Sequence, residues 1–166
     1  MTTIADRERQ ELIAAFEEDH RRMTRGIERL RELVAAGGVR EAVASAQRLD
    51  VDAGGHIEFE EEVFYPFLRA RLGDEAVDRF YREHAAGQRA VEQIRRLDPR
   101  AELTAERRAE LQRDLQTARD HALSCGTLVS HLENLGAPDL AAMRAELERA
   151  RRTGRRWTSA SAAGAE

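Results

Sequence analysis

Apolar residues recur at steps of three and four along most of this 166-residue chain, which is the spacing of one face of an α-helix. The pattern breaks at Gly37-Gly38, near Gly73, at Asp98-Pro99 and at Gly136-Ala137-Pro138, leaving four long segments and a short one. Pro66 falls inside the second segment and predicts a kink there or a break in the last turn of the helix. Four long amphipathic helices with short links favour an all-α fold, an up-down-up-down four-helix bundle.

The same breaks predict the organisation of the chain. Residues 1–137 form the bundle, residues 138–152 a short C-terminal helix, and residues 153–166, which are small and polar, a disordered tail. A basic cluster lies near Trp157, and we expect it to be solvated rather than to contact nucleic acid or an acidic partner. Its members are Arg149, Arg151, Arg152, Arg155 and Arg156.

Composition excludes several classes of protein. An apolar fraction of 42% is enough for a sizeable core, and the net charge of −4 argues against general nucleic-acid binding. No apolar run approaches the roughly 18 residues of a membrane span, and the N-terminus lacks the pattern of a signal peptide. Cys125 is the single cysteine, which excludes an intramolecular disulfide and favours a cytoplasmic protein. The oligomeric state is left open.

Four of the five histidines stand in the apolar stripes where leucine is expected, one in each long helix. They are His20, His56, His84 and His121, and the last three are followed four residues later by Glu60, Gln88 and Cys125. A buried polar group costs roughly 1–3 kcal/mol unless it is paired, so these positions need a common explanation. Counting residues from the turns puts them at similar heights in the bundle. The sequence therefore predicts a buried metal site built from all four helices.

The residue types indicate which metals such a site would hold. His56 and Glu60 lie four residues apart on one helix face, so both reach one ion or two neighbouring ions. Imidazole and carboxylate together suit iron, manganese or zinc, and not calcium. Cys125 is either a soft ligand for iron or zinc or a small buried hydrophobic residue. Tyr81, one turn before His84, either packs in the core or hydrogen-bonds a bound oxygen species.

Other polar residues near these positions have less specific signals. His131 lies off the apolar line of its helix and is expected at the surface or rim, although another register of that helix would use it instead of His121. Glu61 and Glu62 are expected to face water or to hydrogen-bond the ligand histidines. Further carboxylates close to the stripe are expected to be solvated; they are Glu17, Asp52 and Glu92.

Taken as an ordered set, these residues resemble the hemerythrin-like, or HHE cation-binding, family. The resemblance rests on His20, on the segment H-I-E-F-E-E-E-V-F-Y-P from His56 to Pro66, on R-E-H ending at His84, and on His121. The second helix of the family typically reads H-x-x-x-E-E followed by apolar residues and proline. The resemblance covers roughly residues 10 to 135.

Members of this family hold a non-heme di-iron centre. The resemblance therefore implies that the iron ligands are His20, His56, Glu60, His84 and His121, with Glu60 bridging the two ions. Two positions depart from the family. Gln88 stands where oxygen carriers have a second histidine, and Cys125 stands where a bridging carboxylate is expected. Two irons are favoured, and a single ion or zinc stays open.

The function implied is that of a non-heme iron protein that binds or reacts with O2, peroxide or NO in oxidative stress handling or sensing. The missing histidine leaves an open coordination position, which favours redox chemistry or sensing over reversible oxygen carriage. Catalase-like peroxide disproportionation is the enzymatic version, and whether the protein is an enzyme is left open. The alternatives are a metal-dependent sensing or interaction module and a metal-free structural bundle.

Overall fold

The computed structural model describes residues 2–159, and every regular element in that range is helical. None of these helices combines the length and hydrophobicity needed to cross a bilayer. In chain order the elements are α1 (Ile4–Ala36), α2 (Val39–Phe59), a π-helical turn (Glu60–Phe64), α3 (Tyr65–Leu72), α4 (Asp74–Arg95), α5 (Ala105–Cys125), a 3-10 helix (Gly126–Leu132), α6 (Ala137–Thr153) and a 3-10 turn (Trp157–Ser159).

The long helices pack around a common core. Helix α1 contacts α2 and α5, and α4 contacts the same two helices, while α6 lies against α1 and α2. The buried apolar residues form two clusters, and the polar residues of the stripes lie between them. On α1, for example, His20 separates Phe16 in one cluster from Met23 in the other. The predicted all-α fold is confirmed, and the contacts are consistent with a helical bundle.

The predicted end of the first helix is confirmed by its backbone. Gly37 adopts a φ of +74°, in the left-handed region, and its N–H donates to the carbonyls of Leu33 and Val34. Glycine takes this conformation without the steric cost that a Cβ would bring. Only Gly37 and Gly38 separate the end of α1 from the start of α2 at Val39, so the chain reverses within two residues.

The predicted kink at Pro66 takes the form of a π-helical turn. The N–H of Tyr65 donates to the carbonyl of Glu60, five residues earlier, instead of the usual four. Proline has no N–H, so Pro66 cannot donate to the carbonyl of Glu62 as an α-helix would require. The wide turn accommodates this missing hydrogen bond and separates α2 from α3. It also brings Tyr65 round to the side of the helix that carries Glu60.

The C-terminal segment differs from the predicted disordered tail. Helix α6 ends at Thr153, and residues 154–159 fold back so that the side chain of Trp157 is only 2% exposed. A Cβ on Gly54 would lie 1.7 Å from the carbonyl oxygen of Arg155, so the segment packs directly on the backbone of α2. Small polar composition predicts disorder, but it misses this backbone contact and the one buried indole. The rest of the predicted tail, 160–166, lies outside the described residues.

Four of the five arginines of the basic cluster form ion pairs instead of being simply solvated, and two buried carboxylates of α2 hold the C-terminal segment. The backbone N–H of Thr158 donates to Asp50 at 2.8 Å, and Arg149 donates to Glu58 at 3.1 Å. Further ion pairs join the arginines of this region to α1, α2 and the π turn; they are Arg151–Asp19, Arg155–Glu62 and Arg156–Asp50. These arginines therefore attach the C-terminal segment to the helices that carry the histidines.

Candidate metal centre

Two groups of potential metal ligands lie in the core, and they share Glu60. Within each group the ligand atoms all lie within 4.8 Å of one another, and every member is buried. The first group is His20, His56 and Glu60, and the second is Glu60, His84 and His121. The structure thus brings together the four predicted histidines and the predicted glutamate. That these residues bind a metal stays a prediction at this point.

The first group surrounds one oxygen of the shared carboxylate. His56 Nε2 lies 3.3 Å from Glu60 Oε1 and 3.0 Å from His20 Nδ1. The thiol of Cys125 donates to the same Glu60 oxygen at 2.9 Å. The predicted cysteine therefore lies beside the first group, with a carboxylate as its partner.

The second group surrounds the other oxygen of Glu60. His84 Nε2 lies 3.1 Å from Glu60 Oε2. A tyrosine hydroxyl that the sequence analysis missed, that of Tyr65, lies 2.8 Å from His84 Nε2 and 2.9 Å from His121 Nε2. It also lies 3.4 Å from Glu60 Oε2. The second group therefore contains four converging polar atoms rather than three.

Three of the histidines have their outer ring nitrogen occupied, and this orients the inner one. His84 Nδ1 lies 3.0 Å from the carboxylate of Glu61, and His121 Nδ1 lies 2.6 Å from that of Glu83. His20 Nε2 contacts a backbone carbonyl of α5, that of Ala122. Such contacts fix the tautomer and the ring orientation of histidine ligands in metal proteins. Glu61 was an expected partner; Glu83 lies on α4 but serves a histidine of α5, so sequence spacing gave no signal for it.

His56 differs from the other histidines. Its Nδ1 is buried and has no hydrogen-bond partner, because the nearest carboxylate oxygen, on Asp19, is 3.8 Å away. Asp19 is itself fixed by the guanidinium of Arg151 at 2.8 Å. The attraction between His56 and Asp19 therefore acts through space rather than through a hydrogen bond.

The shared carboxylate dominates the electrostatics of the site. Burial alone lowers the pKa of His56, but the carboxylates of Glu60 and Asp19 outweigh it and raise that pKa to about 9. Burial opposes protonation of His84 as well, and its contacts with Glu60 and Glu61 raise its pKa to about 9. Burial would raise the pKa of Glu60, yet the two neighbouring histidines hold it well below its usual value. Without a metal, the ionised Glu60 is thus flanked by two imidazolium groups.

The remaining groups stay uncharged. Burial lowers the pKa of His20 and of His121. Burial, with the nearby Glu60 carboxylate, raises the pKa of the Cys125 thiol and of the Tyr65 phenol well above their usual values. Among these potential ligands, only Glu60 carries a formal negative charge. The neutral groups near it are the imidazoles of His20 and His121, the thiol of Cys125 and the phenol of Tyr65.

The residues present fit metal ions. Neighbouring ligands of an octahedral ion with bonds of about 2.1 Å are separated by about 3 Å. The closest contacts within the two groups are of this length, from 2.8 to 3.3 Å. Nitrogen, oxygen and sulfur donors together suit iron or zinc rather than calcium or magnesium. In the metal-free protein, the protons on His56 and His84 balance the negative charge of Glu60. Metal cations bound next to Glu60 would balance the same charge.

The hydrogen bonds of Tyr81 and Gln88 show where these two side chains are directed. Tyr81 does not point into the site, since its hydroxyl donates to the backbone carbonyl of Glu61 at 2.6 Å. The amide of Gln88 donates to the backbone carbonyl of Trp157 at 3.3 Å, so it is directed toward the C-terminal segment. The only sequence signal for Tyr65 was its position directly before Pro66, where the helix had to depart from α-helical geometry.

The other candidate residues belong to neither group. His131 is half-buried on the 3-10 helix that follows α5. Glu17 and Asp52 are exposed, and Glu92 is ion-paired with Arg95. Exposure to solvent was expected for all three carboxylates, and Glu92 differs in being half-buried.

Aromatic rings separate the site from bulk water. The ring of Phe16 packs against those of His20 and His56, at centroid distances of 5.4 and 4.7 Å. The ring of Phe80 packs against His121 at 5.7 Å. A small cavity, about the size of one water molecule, lies next to His84 and His121, and Trp157 is among the residues that line it. On the other side, His20 borders an open groove between α1 and α5.

A helical core that holds two histidine–carboxylate groups sharing one glutamate defines a class of protein with a candidate dinuclear cation site. The hemerythrin HHE cation-binding domain family matches residues 11–124, which is more than half of the chain, and the chain belongs to this family. The match includes all five members of the two groups and ends one residue before Cys125. Searches of the curated proteins and of the solved structures gave no significant match.

Proposed function

We propose that this chain is a non-heme iron protein that holds two irons, one in each group, bridged by Glu60. The observation that supports the proposal most directly is that the two oxygens of Glu60 face different pairs of histidines. Cys125 would serve the first iron through its sulfur, which lies beside Glu60 Oε1. The proposal includes an up-down-up-down arrangement of the four long helices. It also includes a cytoplasmic location, which is supported by the single unpaired cysteine.

Two irons held here would supply two redox centres beside each other, with room for a small oxidant. The chain contributes the orientation of the ligands, through the contacts of Glu61 and Glu83 with the outer nitrogens of His84 and His121. It also contributes aromatic walls that exclude water and limit side reactions. Gln88, which stands where oxygen carriers have a second histidine, donates to the carbonyl of Trp157, and a coordination position left open in this way would favour reaction with a small ligand.

The size of the ligand is restricted by packing. The cavity next to His84 and His121 is about the size of one water molecule. The groove beside His20 offers a path from solvent, since His20 is the most exposed of the five ligands at 7%. We therefore infer that O2, peroxide or NO, rather than an organic substrate, reaches the irons.

The central experiment is a metal count. The protein is expressed with iron, and iron per chain is measured together with the near-ultraviolet spectrum. We expect two irons per chain, and we expect His56→Ala or Glu60→Ala to abolish binding because each removes a ligand near the bridge. His131→Ala is the matched control and leaves binding intact, since His131 belongs to neither group. One ion per chain or zinc would contradict the dinuclear iron site, and no metal would leave a structural bundle.

Peroxide turnover tests the enzymatic version. Hydrogen peroxide is added to the iron-loaded protein, and oxygen release is followed and compared with that of the same concentration of free iron. Disproportionation converts two molecules of peroxide into two of water and one of O2. A rate well above that of free iron supports a catalase-like enzyme, whereas an equal rate rejects this version and leaves binding or sensing.

A metal-dependent sensing module is the second candidate. It is favoured by the contacts of Trp157, which lines the cavity next to His84 and His121 and whose carbonyl accepts from Gln88. The second group and the C-terminal segment are thus neighbours. This candidate requires Trp157 to leave the core in one metal state and to stay there in the other.

A further inference from the structure

We propose that Tyr65 is a metal ligand whose phenolate oxygen completes the group formed by Glu60, His84 and His121. The inference rests on the proposed metal site and adds to it a phenolate ligand, which the helical periodicity did not predict. Tyr65 is fully buried, and its hydroxyl lies among the candidate ligands rather than at the end of an apolar pocket.

The distances around the hydroxyl are those of neighbouring ligands on one ion. The Tyr65 oxygen lies 2.8 Å from His84 Nε2 and 2.9 Å from His121 Nε2. The two oxygens of the group, on Tyr65 and Glu60, lie 3.4 Å apart. These separations are close to the roughly 3 Å expected between neighbouring ligands of one ion, so Tyr65 would hold the ion together with Glu60, His84 and His121.

Tyr65 also makes the two halves of the site equivalent in number of donors. One oxygen of Glu60 is surrounded by two histidines and the sulfur of Cys125. The other oxygen is surrounded by two histidines and the phenol of Tyr65. Each half then offers four donors, and the halves differ in carrying a thiol or a phenol.

The backbone supports this assignment independently. A regular α-helix would place Phe64, not Tyr65, four residues after Glu60 on the same face. The π turn inserts one extra residue, so that the residue five positions after Glu60 faces the site. Such turns are rare inside helices and are frequent at functional sites. The local irregularity therefore delivers an oxygen donor to the position between His84 and His121.

Binding of a ferric ion by the Tyr65 oxygen exchanges a proton for the metal and requires no redox step. When a ferric ion binds, the O–H bond of Tyr65 breaks, an iron–oxygen bond forms, and the proton leaves to solvent. No electron is transferred, and the iron stays ferric. Hard oxygen donors such as phenolate suit ferric iron, and the phenolate adds a second negative charge beside Glu60.

Resonance Raman and visible spectroscopy of the ferric protein test the inference. The protein is loaded with iron and oxidised with ferricyanide, and we expect a visible phenolate-to-iron charge-transfer band whose excitation enhances tyrosine ring vibrations. The chain has two tyrosines, so a tyrosinate band belongs to Tyr65 or Tyr81. We expect Tyr65→Phe to lose the band, and the matched control Tyr81→Phe to keep it, because Tyr81 contacts a backbone carbonyl.

A labelling experiment covers the case in which Tyr65→Phe fails to fold. The variant Tyr81→Phe is produced with ring-deuterated tyrosine, so that Tyr65 alone carries the label, and a shift of the enhanced vibrations identifies it as the ligand. Enhanced vibrations that do not shift would exclude Tyr65 as their source and overturn the inference. Bound iron with no tyrosine vibrations would overturn it too while leaving the proposed function intact, whereas a protein that binds no iron would contradict both.

Discussion

Protons balance the charge of Glu60 in the metal-free protein. His56 and His84, each with a pKa raised to about 9, flank the ionised carboxylate, and the contacts with Glu60 lie at 3.3 and 3.1 Å. Cations that bind to the two groups take over this role, but they must first displace both protons. Proton release is therefore built into metal binding at this site, as it is at other sites where histidine must be neutral to coordinate.

We expect metal affinity to rise with pH between about 7 and 9, because protons on His56 and His84 compete with the ion for the ring nitrogens in this range. Each displaced proton contributes roughly a tenfold gain in affinity per pH unit. Competition titrations with Zn²⁺ at about pH 7, 8 and 9 measure the slope. Affinity that does not change over this range would show that the two histidines are neutral before the metal binds.

The stability of the metal-free fold is expected to decrease as the pH rises, whereas the metal affinity is expected to increase. A histidine whose pKa is higher in the folded than in the unfolded chain stabilises the fold fully below its unfolded pKa of 6.5, and this stabilisation is lost as the pH rises through about 9. The urea midpoint of the metal-free protein should therefore fall between about pH 6.5 and 9. Metal-loaded protein serves as the control, since its histidines no longer titrate in this window.

At the scale of the elements, periodicity was sufficient to predict the helices and the polar positions they share. His20, His56, Glu60, His84 and His121 each occupy a place in an apolar stripe, and burial follows directly from that place. Tyr65 could not be predicted in the same way, because it faces the site only after the π turn shifts the helix by one residue. Tyr81, one turn before His84, was the natural candidate under α-helical spacing, and the structure turns it to a backbone carbonyl instead.

Glycines in the middle of α2 mark the other feature that depends on tertiary packing. Gly54 and Gly55 lie inside a helix, where glycine costs about 1 kcal/mol relative to alanine, so a close backbone approach is expected at such positions. The backbone of residues 155–156 packs on Gly54, and that of residues 150–151 packs on Gly55. On α4, a Cβ on Gly87 would lie 2.6 Å from the ring of Trp157. The three glycines together form the surface on which the C-terminal segment is seated.

We expect Gly54→Ala to destabilise the protein by about 3 kcal/mol, because the added Cβ would displace a backbone segment and with it the buried Trp157. A backbone oxygen at 1.7 Å cannot move aside as a flexible side chain would. Gly126→Ala is the control: its φ is −56°, and its nearest new neighbour, on His20, is 3.8 Å away. Equal urea midpoints for the two variants would mean that the C-terminal segment does not pack on α2 in solution.

At the scale of the whole molecule, the ligands and the C-terminal segment are attached to the same helices. Helix α2 carries His56 on one side and the buried carboxylates Asp50 and Glu58, which hold the C-terminal segment, on the other. Helix α4 carries His84 and also Gly87, on which Trp157 packs. Metal binding and docking of this segment therefore stabilise a common arrangement of α2 and α4, although composition alone predicted a disordered tail.

We expect Trp157 to unfold together with the helices in both metal states. The chain has one tryptophan, so its fluorescence reports the C-terminal segment alone, while circular dichroism reports the helices. In urea, the two signals should share one midpoint, and Zn²⁺ at about 100 times its Kd should stabilise both by about 2.7 kcal/mol for each ion bound. A coupled shift is expected because the candidate ligands come from α1, α2, the π turn, α4 and α5, so the ions would bind only when these elements are assembled. Earlier exposure of Trp157 in the metal-free protein would contradict this expectation and would favour the sensing function, in which the metal state controls whether the C-terminal segment stays docked.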